Sequence, residues 1–181
     1  MSWLSELLKS FGIGRNKSQP PDYYKPPPET GPGYPGVSEI VVYVNRAPFV
    51  SPFTGLPCDS RHEVCERALS AWSPVLAEVG KRWRITYDER ERETAHASMP
   101  FWAAMNEGDD AETTTAGEIR FALHSYSRLD DVALLCNAVH ELGHCLGLPH
   151  SDDERDIMNG KSRVSVPSER DKNTLRKVLR R

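Results

Sequence analysis

The string H-E-L-G-H-C-L-G-L-P-H at residues 140–150 restricts what this chain can fold into more than any other part of its sequence. His140 and His144 stand four residues apart. On an α-helix that spacing puts both imidazoles on one face, a turn apart, where two nitrogens reach one zinc ion. Glu141, beside the first of them, is placed to take a proton from a water at the metal and to return one to a leaving amine. Gly147 permits a left-handed backbone at the helix end, Pro149 prevents the helix from continuing, and the reversal brings His150 back as a third ligand. Three neutral imidazoles with a fourth position left for water is the composition of a catalytic zinc site, whereas structural sites are usually closed by four protein ligands.

The helix that must carry this string reads D-D-V-A-L-L-C-N-A-V-H-E-L-G-H-C-L-G. Asp130 and Asp131 suit the positive end of its dipole, and Val132, Leu135, Val139, Leu142 and Leu146 form its apolar face. Upstream, S-E-I-V-V-Y-V-N-R-A-P-F predicts a strand ended by Pro48. Arg61 to Val79 has the spacing of an amphipathic helix, with Pro74 as an interruption and Gly80 as its outer limit. R-W-R-I-T-Y-D-E-R predicts a second strand and E-I-R-F-A-L-H-S-Y-S a third, separated by a loop-rich acidic stretch holding Glu107, Asp109, Asp110 and Glu112. Ser168, Glu169 and Asp171 open a last helix that ends in the basic run Arg176, Lys177, Arg180 and Arg181, read as a solvated helix end.

At 181 residues the chain has room for one ordinary domain and an appendage. Residues 1–15 carry Trp3, Leu4, Leu7, Leu8 and Phe11 at helical spacing and form a possible amphipathic helix; residues 16–36 are a Pro-rich linker. Residues 37–181 make the folded domain. The helix and the linker are the segments available for contact with a partner. A formal charge of −3 leaves no global basic field, so no nucleic-acid partner is expected. No stretch approaches the roughly 18 apolar residues of a membrane span. The N-terminus lacks a basic leading region with a continuous apolar run, so no signal peptide is read; the chain is read as soluble and its location is left unassigned. Four cysteines, Cys58, Cys65, Cys136 and Cys145, are too few for a disulfide scaffold.

H-E-L-G-H-C-L-G-L-P-H-S resembles the zinc signature of the metzincin metallopeptidases, and within them the matrixin branch, to which Ser151 directly after the third histidine points. The resemblance extends over residues 37 to 181. It implies an α+β metzincin-like zincin domain: a twisted mixed β-sheet, an active-site helix and a C-terminal helix. It implies a zinc-dependent endopeptidase acting on a peptide or protein substrate, with His140, His144 and His150 as metal ligands, Glu141 as general base and one catalytic Zn2+. In that family a methionine turn lies beneath the metal, and Met158 in S-D-D-E-R-D-I-M-N-G stands where it is expected, supporting the site together with Gly147. Peptide substrate pairs with an edge strand in such enzymes, which makes Glu118 to Leu123 the expected platform.

The chain also departs from the pattern. T-A-H-A-S-M-P resembles a segment that supplies a structural-zinc ligand, with His96 in that position, yet Y-D-E-R-E-R-E and Arg120 stand where the other ligands belong. A structural zinc, and calcium in the acidic stretch, are left open. Asn159, Gly160 and Lys161 replace the residues that shape specificity after the methionine, so no substrate preference carries over. Pro57-Cys58-Asp59 has only a faint likeness to an inhibitory cysteine segment. Two alternatives to the peptidase stand: an inactive, zinc-stabilised binding or assembly module, and a zinc hydrolase of a non-peptide amide.

Overall fold

The β-branched run after Val37 forms β1 (Glu39–Val44), with Ile40, Val42 and Val44 fully buried. A computed structural model describes residues 33–51, 54–103, 105, 109–123, 130–161 and 163–180. A two-residue pairing of β2 (Phe49–Val50) with β3 (Pro57–Cys58) follows β1. Helix α1 (His62–Glu78) then crosses back along the sheet and runs through Pro74, burying Val64, Ala68, Leu69, Trp72, Val75 and Leu76 on the face the sequence marks. Gly80, at φ 72°, turns the chain into β4 (Arg82–Thr86), which pairs with β1 in parallel, as a strand–helix–strand crossover requires.

A 3-10 turn (Glu89–Thr94) leads into β5 (Ala97–Ala103), which joins β1 in parallel on its other side. β6 (Ala111–Thr113) and β7 (Glu118–Ala122) complete a mixed sheet in the order β4-β1-β5-β7-β6, with β7 parallel to β5 and antiparallel to β6. The sequence reading has no strand at β5. Pro100 discourages one, because proline donates no ladder hydrogen bond, and the structure accommodates it at a register shift between Ser98 and Phe101. The reading of Glu118–Leu123 as an edge strand is corrected: β7 is interior and β6 is the edge. Three residues inside an acidic stretch carry no strand signal of their own and become one by pairing with β7.

Helix α2 (Asp131–Cys145) carries the histidine string, and α3 (Glu169–Leu179) closes the described chain. Both begin as their acidic first turns predict. Asp130 Oδ1 accepts from the Ala133 amide at 2.8 Å, and Ser168 and Asp171 form a reciprocal capping box. α1 and α2 pack together through Trp72, fully buried, whose indole donates to the Val139 carbonyl at 2.9 Å. Leu134 and Leu142 of α2, and Leu146 directly after it, meet the sheet residues Ile40, Val42, Met99, Ile119 and Phe121 in one core. All four cysteines are free, three of them buried. Arg176 in the basic run pairs with Glu78 at 2.7 Å rather than standing open to a polyanion.

The amphipathic helix expected over residues 1–15, and the Pro-rich stretch up to residue 32, lie outside the described residues. Gly33 and Tyr34, which follow it, are packed on the domain. Tyr34 is in the core, its hydroxyl donating to the His96 carbonyl at 2.6 Å, and the Gly33 amide donates to the Cys145 carbonyl at 3.1 Å. Lys81 Nζ holds the following turn through the carbonyls of Tyr34 and Val37. Packing therefore reaches upstream of Val37, because an aromatic ring within proline-rich text finds an apolar seat that the text does not announce. Among the described residues no helix is long and apolar enough to cross a membrane.

Candidate metal centre and active site

Helical periodicity sets the first two histidines. His140 and His144 project from one face of α2 with Nε2 atoms 3.0 Å apart. The helix then ends in a Schellman arrangement: Gly147, at φ 89°, donates to the His144 carbonyl at 2.8 Å, and the Leu148 amide donates to the Gly143 carbonyl at 2.9 Å. That reversal brings His150 Nε2 to 3.2 Å from His144 Nε2. One nitrogen of each of the three rings lies within 4.8 Å of the others, and among the described residues this is the one group of three or more metal-competent side chains.

Two backbone carbonyls decide what those nitrogens are. His140 Nδ1 faces the Ile157 carbonyl at 2.7 Å, and His144 Nδ1 faces the Leu148 carbonyl at 2.8 Å. A carbonyl only accepts, so both rings carry hydrogen on Nδ1 and turn a bare Nε2 lone pair toward the other. Lone pairs 3.0 Å apart repel unless a cation lies between them. Burial also holds both imidazoles below their ordinary range, His144 down to about 3 with His140 adding to the effect, so neither ring has to lose a proton at neutrality before ligating. This donor set fits a zinc ion.

The loop from His150 to Met158 is fastened from both ends. The Ser151 amide donates to the Met158 carbonyl at 2.9 Å, and Asn159 Nδ2 donates to the Ser151 carbonyl at 3.0 Å. From α3, the buried Asp171 carboxylate accepts from the amides of Ile157 at 2.9 Å, Met158 at 3.4 Å and Ser168 at 2.7 Å. Asp156, 1% exposed, accepts from the hydroxyls of Ser151 and of Ser168. Met158 is fully buried against α2. A Cβ at Gly143 would collide with its Sδ and crowd Trp72 at 3.2 Å, so glycine is required there for close approach. The sequence reading names Asp171 only as an acidic residue in the first turn of the last helix, and singles out neither Gly143 nor Asp156. A glycine inside a helix was the available signal, since it costs about 1 kcal/mol there relative to alanine.

Glu141 is buried at 6% exposure, and burial pushes its carboxyl up to about 7 against the opposing hydrogen bond from Thr113. Beside Glu141 and His140 lies a cavity of about 390 Å³, reached also by Cys136, Asn137, Asn159 and Arg163. The edge strand β6 borders it through Ala111.

His62, His96 and Cys58 are apart from this group. His96 Nδ1 accepts from the Val41 amide at 3.0 Å, and His62 Nδ1 lies 2.8 Å from the Ser60 hydroxyl. His124 lies outside the described residues. Cys58 sits in β3 with its Sγ toward the Leu56 carbonyl.

The profile described as matrixin matches residues 77–177, from the end of α1 through most of α3 and therefore across every element that builds the centre. No curated protein matches the chain.

Proposed function

The chain belongs to the matrixin family, whose members are zinc metalloproteases acting on proteins, and on that footing we propose that it is a zinc-dependent endopeptidase in which His140, His144 and His150 hold the metal and Glu141 is the general base. The observation that carries the reading is the pair of Nδ1–H groups locked onto the Ile157 and Leu148 carbonyls, which leaves Nε2 lone pairs converging beside a buried carboxylate. When bound, zinc supplies Lewis acidity, polarising a carbonyl and lowering the pKa of water to about 7.

The chain's own residues do the rest. Among the described residues β6 is the last strand of the sheet beyond β7, and an extended peptide adds to that edge as a further strand while the neighbouring cavity takes a substrate side chain. Glu141 accepts the proton of the attacking water and delivers it to the amine that leaves. Its burial keeps bulk water from competing for that proton and, in the metal-free chain, raises its basicity toward neutrality. Met158 and Gly147 act on the site indirectly, the first by filling the space under Gly143, the second by turning the chain toward His150.

The experiment is cleavage of a dye-labelled, unstructured protein by the zinc-loaded chain, run beside Glu141→Ala at matched zinc occupancy. Cleavage by the parent alone is the expected result. Absence of cleavage across varied unstructured substrates, with zinc bound, would remove the peptidase reading and leave a zinc-stabilised module.

A further inference from the structure

Strand β6 reads Ala111-Glu112-Thr113, and side chains alternate along a strand. Glu112 turns to Arg120 on β7, 3.6 Å away, while Ala111 lines the cavity beside the histidines. Thr113, two residues on, shares the face of Ala111 and meets α2. Its Oγ1 lies 2.6 Å from Glu141 Oε2 and 2.9 Å from the Glu141 carbonyl. A threonine hydroxyl has one proton, and the shorter arm to the charged acceptor is the stronger one.

We propose that Thr113 is a positioning residue for the reaction: its hydroxyl holds the Glu141 carboxylate in the one rotamer that can take a proton at the metal side, and does so from the strand that receives the peptide. This rests on the reading of Glu141 as general base. Glutamate has three side-chain torsions, and a base that wanders among rotamers loses the alignment that makes proton transfer effective. With Oε2 engaged by Thr113, Oε1 is the oxygen left for the proton. The Glu141 carbonyl, 2.9 Å from the same oxygen, can only accept and competes for that single proton, so the bond to the ionised carboxylate is the one that positions it. Because Thr113 belongs to the edge strand, a peptide seated on that strand and the base that acts on it share one rigid support.

The test has two readouts. On the metal-free full chain, urea unfolding of Thr113→Val, Glu141→Ala and the double variant forms a cycle; the expected result is non-additivity of at least about fivefold in the unfolding equilibrium. Additive effects would overturn the side-chain contact. On the zinc-loaded chain, Thr113→Val is expected to lower kcat about 10- to 100-fold on the labelled protein, with KM and zinc content held within twofold. Thr113→Ser, which restores the hydroxyl, is expected to recover most of kcat. A fall confined to KM, or no recovery in the serine variant, would overturn the role. Cleavage by the parent, none by Glu141→Ala and undiminished kcat in Thr113→Val would overturn this role alone. Absence of cleavage by the parent would overturn it together with the peptidase reading.

Discussion

His140 and His96 both turn Nδ1 toward the backbone, but toward groups of opposite polarity. His140 meets the Ile157 carbonyl at 2.7 Å; His96 meets the Val41 amide at 3.0 Å. The first contact puts the ring hydrogen on Nδ1 and leaves Nε2 as a free lone pair. The second makes Nδ1 the acceptor, so the neutral ring carries its hydrogen on Nε2 and has no second lone pair to offer a cation. His140 is also joined by His144 and His150, whereas His96 is paired with strand β1 and with no metal-competent trio among the described residues. Histidine type alone does not make a ligand; the backbone group behind the ring decides which nitrogen is available.

The sharpest way to break this contrast is to remove one ring from each region. His144→Ala is expected to lower zinc affinity at least a thousandfold and to abolish cleavage, while His96→Gln keeps one zinc per chain; metal analysis after dialysis against a chelator gradient reads both. Glu141→Gln probes the same centre without touching the ligands. It is expected to keep zinc and lose about 10²- to 10⁴-fold in kcat, the usual range for a general base.

The Glu141 carboxyl also makes a pH prediction for the metal-free chain. Its folded value, about 7, lies above the ordinary 4.5, so its stabilising contribution is complete below 4.5 and is lost as pH rises through 7. Relative to the parent, Glu141→Gln is therefore expected to gain about 3 kcal/mol between pH 4.5 and 8, read by urea unfolding with chelator present. His144 is common to both proteins and cancels. Gly143→Ala has a smaller effect: the added methyl collides with Met158, and overpacking of about 1–3 kcal/mol outweighs the roughly 1 kcal/mol that alanine returns in helix propensity. Its melting temperature should fall. His96→Gln should show the least change, about 1 kcal/mol or below from the altered bond to the Val41 amide.

Much of the fold was legible. The periodicity of α1, the acidic starts of α2 and α3, the β-branched run of β1 and the strand text of β4 and β7 are local patterns that the structure follows, except that Val132, expected on the apolar face of α2, is 60% exposed in its first turn. What was not legible shares a cause. β5 carries a proline that argues against a strand, and β6 is too short to show a period; each is strand only because a neighbour pairs with it. Tyr34 looks like linker and is core for the same reason.

The site divides along the same line. Its three histidines, Glu141 and Gly147 lie within eleven positions of one another, so helix pitch and one left-handed residue direct them toward one side. By itself the sequence determined that much: a turn of helix, a reversal, and three rings on one side. The tautomer of His140, the seating of Met158 under Gly143, the grip of Asp171 on the loop and the Thr113 bond to Glu141 each join groups 13 to 28 residues apart. Those were decided by tertiary structure alone, because a hydrogen bond depends on which distant donor and acceptor the packed core brings within 3 Å, and no local period encodes that choice.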